Sequence, residues 1–350
     1  MEVSVEVMKA VCGPASVLVH FTFPQSYVKN YCMIDLRRLQ VLRAVHQYGT
    51  VTAAAEVLHL TPSAVSHHLR ELARELRVPL VEPRGRGIRL TSAAYVVVEH
   101  ADALLARWEE AQAALESHRA GEAGLLRMCG FATAVVGLLA PAAARLRADR
   151  PGLTVQVSEC GTADGFDLLL ATDADIAVVD PNEDAPPPGD GRFDQHLLVE
   201  EPHDLLVPAG HRLAARPAVR LAEAADEPWI IPARGTCHHH ERILAYCAAS
   251  GYNPRVAHYA TEWPTISALV GHGLGVSLIP RLAEISSERP VVRVPLTGDP
   301  LPVRRVLACV RRGGRDHPLV QHGLRALREV VEASPALSVP AGREGAVTAG

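Results

Sequence analysis

Lysine is almost absent from this 350-residue chain: Lys9 and Lys29 are its only two, and arginine carries the remaining positive side-chain charge. No apolar run approaches the ~20 residues that a membrane-spanning helix requires. The seven cysteines include no Cys-x-x-Cys pair, and their odd number argues against a disulfide framework. We also find no nucleophile elbow, phosphate-binding loop or helically spaced carboxylate pair. These absences predict a cytoplasmic protein that spans no membrane, holds no cofactor and is not an enzyme.

Positive charge is concentrated in one segment near the start of the chain. Residues 33–91 contain nine Arg against five Asp or Glu, a net charge of +4. The whole chain carries −4, so the remaining residues together carry about −8. A basic segment attached to an acidic body favours a nucleic-acid-binding head on a larger domain.

Two short helices joined by a tight break are predicted over residues 50–72. The apolar face of the first repeats at helical spacing through Val51, Ala54, Ala55 and Leu58. Thr61 is a good N-cap, and Pro62 suits the first position of the second helix because its missing N–H costs nothing there. The second helix then buries a stripe of Val65, Leu69 and Leu72.

The other side of this second helix is polar and is suited to phosphates and base edges. It presents Ser63, Ser66, His67 and Arg70. A further apolar helix precedes the pair, and residues 78–91 form two extended pieces around an Arg-Gly-Arg-Gly tip, typical of a β-wing. An ordinary helical hairpin with a solvated outer face is the alternative. The flanking elements and the charge favour a winged helix-turn-helix.

A long helix is predicted after the wing, because residues 92–119 contain neither Gly nor Pro. Its apolar positions are spaced 4, 3, 4, 3, 4 and 3, the pattern of a coiled-coil seam. The seam consists of Val97, Ala101, Leu104, Trp108, Ala111, Leu115 and His118. The helix either packs on its own domain or pairs with a second copy. The regular spacing favours a homodimer.

Strands alternate with helices from residue 125 onward, which predicts α/β architecture with parallel sheets. Strands are expected at 125–131 and 153–159, and helices at 135–150 and 318–332. The number of strands predicts two α/β lobes with a small ligand in the cleft between them. A two-lobed solute-binding protein or a cleft enzyme would use the same body, but neither explains the basic head.

Three further clusters are interpreted without a functional role. Cys237-His-His-His-Glu241 lacks a second ligand pair at zinc-like spacing, so we expect solvated histidines on a first helical turn and no metal. Arg304-Arg305 and Arg311-Arg312 are expected on a solvated strand and loop. The glycines of 271–275 lack dinucleotide-binding spacing and predict a turn before a strand.

The order of these parts resembles the LysR-type transcriptional regulators over roughly residues 33–330. The resemblance is carried in the head by segments 36–42, 49–58, 61–69 and 85–91, and later by 150–155, 175–178, 207–214 and 273–280. It implies a winged helix-turn-helix, a dimerising linker helix and a two-lobed, periplasmic-binding-protein-like effector domain. It also implies a homodimer or homotetramer that binds double-stranded promoter DNA and responds to a small-molecule effector.

Site residues follow from the motifs and from this resemblance. The predicted DNA contacts are Thr52, Thr61, Ser63, Ser66, His67, Arg70, Arg84 and Arg86. The implied effector contacts are Ala132, Thr133, Gly161, Thr162, Arg234, Trp263 and Thr265. Thr133 and Thr162 lie near helix N-termini, where hydroxyl and free N–H groups favour a carboxylate or similar anion. The chain departs from the family pattern at Pro62, His67 and Pro83, so its operator sequence is not implied.

These interpretations divide the chain into five parts. Residues 1–32 are expected to be a disordered extension or a wrongly assigned start, and residues 334–350 a disordered tail. Between them we predict a DNA-binding domain at 33–91, the linker helix at 92–121 and the effector domain at 122–333.

Overall fold

The computed structural model describes residues 3–7, 19–23, 34–85, 87–118, 124–183, 185–234 and 239–337. Its contacts divide the chain into two compact units, Met1–Leu105 and Ala106–Gly350. Within the described ranges no helix has the length and apolar character needed to cross a membrane. Most of the predicted extension 1–32 and residues 338–350 of the predicted tail lie outside these ranges, so both assignments stay predictions.

The described residues of the first unit form two strand pairs and three short helices, followed by the start of a long helix. Its elements are β1 (Val3–Val7), β2 (Val19–Phe23), α1 (Leu36–Tyr48), α2 (Val51–Val57), α3 (Pro62–Leu76), β3 (Val81–Arg84), β4 (Gly87–Leu90) and α4 (Ser92–His118), which continues into the second unit. Strands β1 and β2 pair antiparallel, as do β3 and β4. Helices α2 and α3 with the hairpin of β3 and β4 reproduce the predicted winged helix-turn-helix.

Side-chain caps define where the helices of the head begin. The hydroxyl of Thr50 accepts the N–H of Ala53 at 3.1 Å, and that of Thr61 accepts the N–H of Ala64 at 3.1 Å. Both bonds satisfy an amide that has no partner inside its own helix. Helix α2 ends where His59 adopts a left-handed conformation with φ of +52°. The expected break between the two helices is therefore confirmed, and its cause is local.

The core of the head buries the apolar faces that the sequence predicts. Val65 and Leu72 are fully buried and Leu69 is nearly so, which confirms the stripe on α3. They pack in one cluster with residues of α1, α2 and the start of α4. Burying each such side chain contributes about 1.5–3 kcal/mol, so this cluster is what holds the three helices together.

Helix α4 changes its environment along its length. Ala101 is fully buried in the core of the head, so this first part of the predicted seam is not available to a partner. Leu104, Trp108 and Leu115 are 48 %, 49 % and 62 % exposed. Within the second unit, the Glu109 carboxylate accepts a hydrogen bond from Arg311 at 2.8 Å. The helix thus packs on its own chain with one side and leaves an apolar stripe uncovered on another.

The second unit is a mixed α/β domain. Its helices and strands are β5 (Gly124–Gly130), α5 (Ala132–Ala134), a π-helical segment (Val135–Leu139), α6 (Ala140–Asp149), β6 (Leu153–Glu159), α7 (Thr162–Ala171), β7 (Ile176–Val179), β8 (Phe193–Pro208), β9 (Val219–Arg220), β10 (Pro228–Ile231), α8 (His239–Ala249), β11 (Arg255–Tyr259), α9 (Trp263–Gly271), β12 (Ser277–Pro280), β13 (Val291–Thr297), β14 (Val303–Arg311) and α10 (Pro318–Glu332). Short 3₁₀ turns lie at Leu221–Ala224, Gly314–Asp316 and Pro335–Leu337.

Two lobes share one continuous strand. Residues 193–202 of β8 pair with β14, in a sheet ordered β6-β5-β7-β14-β8, and residues 203–208 pair with β12 and β13. We call the part around the first half of β8 the first lobe and the part around the second half the second lobe. Each lobe has its own core: Leu126, Met128 and Leu324 lie in the first, and Leu205, Trp229 and Ile243 in the second.

The expectation of parallel sheets is only partly right. Strand β5 pairs parallel with β6 and β7, and β10 pairs parallel with β11. Strands β8, β12, β13 and β14 pair antiparallel with one another or with β7. Of these four strands only β8 runs through both lobes, and β12, β13 and β14 all run in the direction opposite to it.

Candidate functional site

The outer side of α3 is a polar surface above a buried apolar stripe. Ser63, His67 and Arg70 are exposed on it, and Ser66 is half-buried. Thr61 is also exposed, but its hydroxyl caps the helix and lies 2.9 Å from the Ser63 hydroxyl. Arg70 donates through Nε to the Ser66 carbonyl at 3.2 Å, which leaves its terminal guanidinium nitrogens directed to solvent. The surface therefore offers hydroxyl, imidazole and guanidinium groups together, the side chains that bind phosphates and base edges.

The wing and the start of α2 extend this polar surface. Arg84 is exposed at the end of β3, opposite Gly87, and Gly85 makes the turn with φ of +59°. Arg89 donates to Glu82 at 2.7 Å, so the hairpin is closed by an ion pair below its tip. Thr52 is exposed on the first turn of α2. Arg86 lies outside the described residues, and its predicted role stays a prediction.

A buried arginine lies where the two lobes of the second unit meet. Arg304 is 7 % exposed, so the expectation that it lines a solvated strand is wrong. Its guanidinium donates to the Thr133 hydroxyl at 2.7 Å and to Glu201, and it lies over the Phe131 ring at 4.6 Å from the centroid. Glu201 is fully buried and also accepts the N–H of Leu282 at 2.5 Å. The buried cation is thus paired, hydrogen-bonded and stacked, as burial of a charge requires.

A second ion pair joins the lobes directly. Asp180 follows β7 of the first lobe, and Arg242 lies on α8 of the second lobe. The two Arg242 terminal nitrogens donate to the two Asp180 carboxylate oxygens at 2.7 and 2.8 Å. Burial alone would lower the pKa of Arg242, but the hydrogen bonds and charge of Asp180 outweigh it and the pKa is raised. A bidentate pair of this kind is stronger and more directional than a single contact.

Two stacked histidines lie beside the charged cluster of Asp180, Glu201, Arg242 and Arg304. His203 on β8 and His239 on α8 have ring centroids 5.2 Å apart and nearly parallel planes. His239 also bonds the Leu278 carbonyl through Nε2 at 2.9 Å and meets the Trp263 ring edge-on at 5.1 Å. Burial, with the nearby Arg304 and Arg242, lowers the pKa of His239 to about 4 and that of His203 well below its usual value. Both rings are therefore neutral at pH 7.

The expectation of solvated histidines at the start of α8 is wrong. His239 is 8 % exposed and His240 4 %, and His240 bonds the Pro232 carbonyl through Nδ1 at 2.7 Å. Cys237 and His238 lie outside the described residues. In the described part of the chain, no three His, Cys, Asp or Glu side chains are grouped to hold a metal ion. The Arg311 prediction also fails, because Arg311 is half-buried and bonds Asp175 and Glu109.

The predicted effector residues reach this region to different extents. The Thr133 hydroxyl accepts a hydrogen bond from Arg304, and the Thr162 hydroxyl donates to the Asp180 carbonyl at 2.8 Å. Both threonines therefore contact the charged cluster. Ala132 and Gly161 are exposed beside them at the starts of α5 and α7. Trp263 reaches the region through His239. Arg234 and Thr265 are exposed, and among the described residues the structure shows no bond from either to this cluster.

Sequence reasoning missed four charged members of the cluster: Asp180, Glu201, Arg242 and Arg304. Asp180 directly follows a buried strand, the position from which parallel strands supply polar groups to a cleft, and this signal was available. Arg304 is buried and the adjacent Arg305 is exposed in a strand that is otherwise mostly buried, and only a buried partner distinguishes the two. Glu201 is the partner, 103 residues earlier in the chain.

Comparison with protein families assigns both units. Residues 36–95 match the model of the bacterial regulatory helix-turn-helix protein, lysR family, and residues 119–332 match the LysR substrate binding domain. The small neutral protease regulatory protein of Streptomyces coelicolor is 32 % identical over 291 residues, 81 % of this chain and 84 % of that protein. The probable HTH-type transcriptional regulator LrrA of Synechococcus elongatus is 28 % identical over 85 % of this chain and 97 % of that protein.

Solved structures show the same fold. A full-length OxyR variant from Pseudomonas aeruginosa aligns with a TM-score of 0.56 at 22 % identity, covering 87 % of this chain and 96 % of that one. Full-length BenM aligns with a TM-score of 0.53 at 22 % identity, covering 85 % and 97 %. The chain belongs to the LysR family of transcriptional regulators. It is a DNA-binding regulator with an N-terminal helix-turn-helix and a two-lobed effector-binding domain.

Proposed function

We propose that the outer side of α3 and the wing of this regulator read promoter DNA. The observation that carries the proposal is the capped, polar side of α3 above its buried stripe, in a segment with an excess of four positive charges. The proposed contacts are Thr52, Thr61, Ser63, Ser66, His67, Arg70, Arg84 and Arg86. His67 and Arg70 face solvent on one helix surface, where they reach base edges while the wing arginines bind backbone phosphates.

We further propose that the effector is a small anion bound between the lobes. Two guanidinium groups, two threonine hydroxyls and the starts of α5 and α7 converge there, and each of these features favours negative charge. The proposed effector contacts are Ala132, Thr133, Gly161, Thr162, Arg234, Trp263 and Thr265. Arg242 and Arg304 join this set because they supply its buried and half-buried positive charge.

The regulator acts in this proposal as a homodimer or homotetramer in the cytoplasm, where promoter DNA is accessible, and without catalysis. The uncovered stripe of Leu104, Trp108 and Leu115 on α4 supports self-association. Relatives that match over most of their length are named as regulatory proteins or transcriptional regulators, which supports a binding function rather than an enzymatic one.

DNA binding is tested by gel shift and fluorescence anisotropy with fragments from upstream of the chain's own gene. We expect saturable, sequence-dependent binding by the full chain. Arg70→Ala and Arg86→Ala should each weaken it about tenfold and reduce the slope of log affinity against log salt by about one. Arg147→Ala is the matched control, because Arg147 is an exposed arginine on α6 of the effector domain. Unchanged affinity of both head variants at several salt concentrations would contradict the proposed contacts.

A further inference from the structure

The carboxylate of Asp180 occupies a place built for an anion. Both of its oxygens receive hydrogen bonds from Arg242 at 2.7 and 2.8 Å, and the guanidinium of Arg304 lies 3.9 Å away. A planar carboxylate held by a guanidinium fork is the geometry in which proteins bind carboxylate ligands. Here the carboxylate belongs to the chain itself.

The two carboxylates of the cluster differ in how firmly they are held. Glu201 is fully buried and is bonded to both Arg304 and the Leu282 amide. Its removal would leave the buried Arg304 without its carboxylate partner. The Asp180 side chain is 20 % exposed and that of Arg242 19 %, so solvent reaches this pair. Asp180 is therefore the carboxylate that an incoming ligand could replace.

Replacement of Asp180 would also alter the connection between the lobes. Asp180 belongs to the first lobe and Arg242 to the second, so their ion pair joins the two lobes. An external carboxylate on Arg242 would leave Asp180 free and would break this direct link. Binding of the ligand would then itself break the ion pair between the lobes, because one carboxylate replaces the other on Arg242.

Resting on the effector cleft proposed above, we propose that Asp180 is an internal occupant of the effector site, and that a small carboxylate ligand displaces it from Arg242. The ligand is a carboxylate rather than a neutral or cationic molecule, because the displaced group is one and the fork of Arg242 matches it. The exchange keeps the charge on Arg242 balanced, since one monoanion takes the place of another.

The ligand binds only to molecules in which Asp180 has left Arg242. Its apparent affinity is therefore the intrinsic affinity multiplied by the fraction of such molecules. If Asp180 holds Arg242 in about nine molecules of ten, removing its charge raises that affinity about tenfold. Asp180→Asn keeps the shape of the side chain but removes the competing charge. Arg242→Gln removes the guanidinium group that binds both the Asp180 carboxylate and the ligand.

The test uses the full chain and two probes of matched shape, benzoate and benzamide, with binding followed by ligand-observed NMR titration. Asp180→Asn should bind benzoate about tenfold more tightly than the unaltered chain, with no gain for benzamide. Arg242→Gln and the double variant should lose benzoate binding at least tenfold. Asp149→Asn and Arg147→Gln are the matched controls, because both residues are exposed on α6 and neither lies in the cleft.

Hydrogen exchange of the amides at the start of α8, residues 239–243, supplies a second measurement. It should speed up in Asp180→Asn and in the unaltered chain saturated with benzoate. A purely structural ion pair would change exchange in the variant without changing affinity for benzoate, and this result would overturn the proposal. An equal gain for benzamide, or tight benzoate binding by Arg242→Gln, would overturn it as well.

If Asp180→Asn does not fold, Asp180→Ala serves the same purpose. Absence of saturable benzoate and acetate binding to a folded Asp180 variant would also overturn the proposal. Operator binding by the unaltered chain is measured in the same preparation. If the chain binds its operator but the Asp180 variants gain no affinity for carboxylates, only the displacement is contradicted. If the chain does not bind DNA, the proposed function is contradicted.

Discussion

At the scale of single residues, the stacked pair of His203 and His239 links folding to pH. Burial and the nearby arginines hold the pKa of both rings below the ordinary histidine value, to about 4 for His239. The unfolded chain therefore binds more protons than the folded chain as the pH falls below about 6.5. These two groups therefore lower the free energy of unfolding as the pH is lowered from about 6.5 towards 4.

We expect each of these histidines to contribute a slope of at most about 1.4 kcal/mol per pH unit in this range. Urea unfolding at intervals between pH 4 and 8 measures the slope. His203→Leu preserves bulk and removes one titrating group, so its profile should be flatter. His258→Leu is the control, because His258 is half-buried on β11 outside this pair. A profile of His203→Leu as steep as that of the unaltered chain would contradict the assignment.

At the scale of secondary-structure elements, one glycine sets how closely the second half of α4 approaches its own domain. Gly313 has φ of +85°, and a Cβ at this position would lie 2.2 Å from the Ala106 carbonyl oxygen. Any other residue is therefore unfavourable at this position for two reasons: the backbone is left-handed, and a side chain would collide with α4. The adjacent Arg311 and Glu109 ion pair lies in the same contact.

Gly313→Ala should lower the free energy of unfolding of the effector domain, as measured by urea denaturation. Gly251→Ala is a matched control, because Gly251 has φ of +89° but a Cβ added there would have no atom within 4 Å. Backbone strain alone costs about 1–2 kcal/mol in either variant. We expect Gly313→Ala to cost at least about 1 kcal/mol more, from displacement of α4. Equal losses in the two variants would show that the contact with α4 contributes nothing.

Local signals predicted many elements but could not identify their long-range partners. Helix α10 runs from Pro318 to Glu332 as predicted, because a proline begins an amphipathic repeat that continues without interruption. The predicted continuous helix at 135–150 instead contains the π-helical segment Val135–Leu139, which no local pattern announces. The sequence predicts Arg304 and His239 in solvent, because nothing in the neighbouring residues indicates a buried partner. Their burial depends on Glu201 and on the Leu278 carbonyl, which lie far away in the chain.

At the scale of the whole molecule, the uncovered stripe on α4 predicts self-association. Leu104, Trp108 and Leu115 repeat at heptad spacing and are about half exposed or more, which is unfavourable for a helix that stays single. Trp108→Glu with Leu115→Glu should reduce the mass measured by analytical ultracentrifugation to that of a smaller assembly. Ala103→Glu with Ala114→Glu is the matched control, because it adds the same two charges at exposed positions off the stripe. An assembly unchanged by the double variant would place the interface elsewhere.

The shared strand β8 also limits how the effector domain can move and be divided. Sixteen residues from Phe193 to Pro208 run through both lobes without a loop, and β14, which pairs with both β7 and β8 in the first lobe, follows the second lobe in the chain. A fragment cut between Pro202 and His203 would expose unpaired strand edges and should aggregate. A rotation of one lobe against the other would therefore twist a hydrogen-bonded ribbon at β8 rather than swing on a flexible linker.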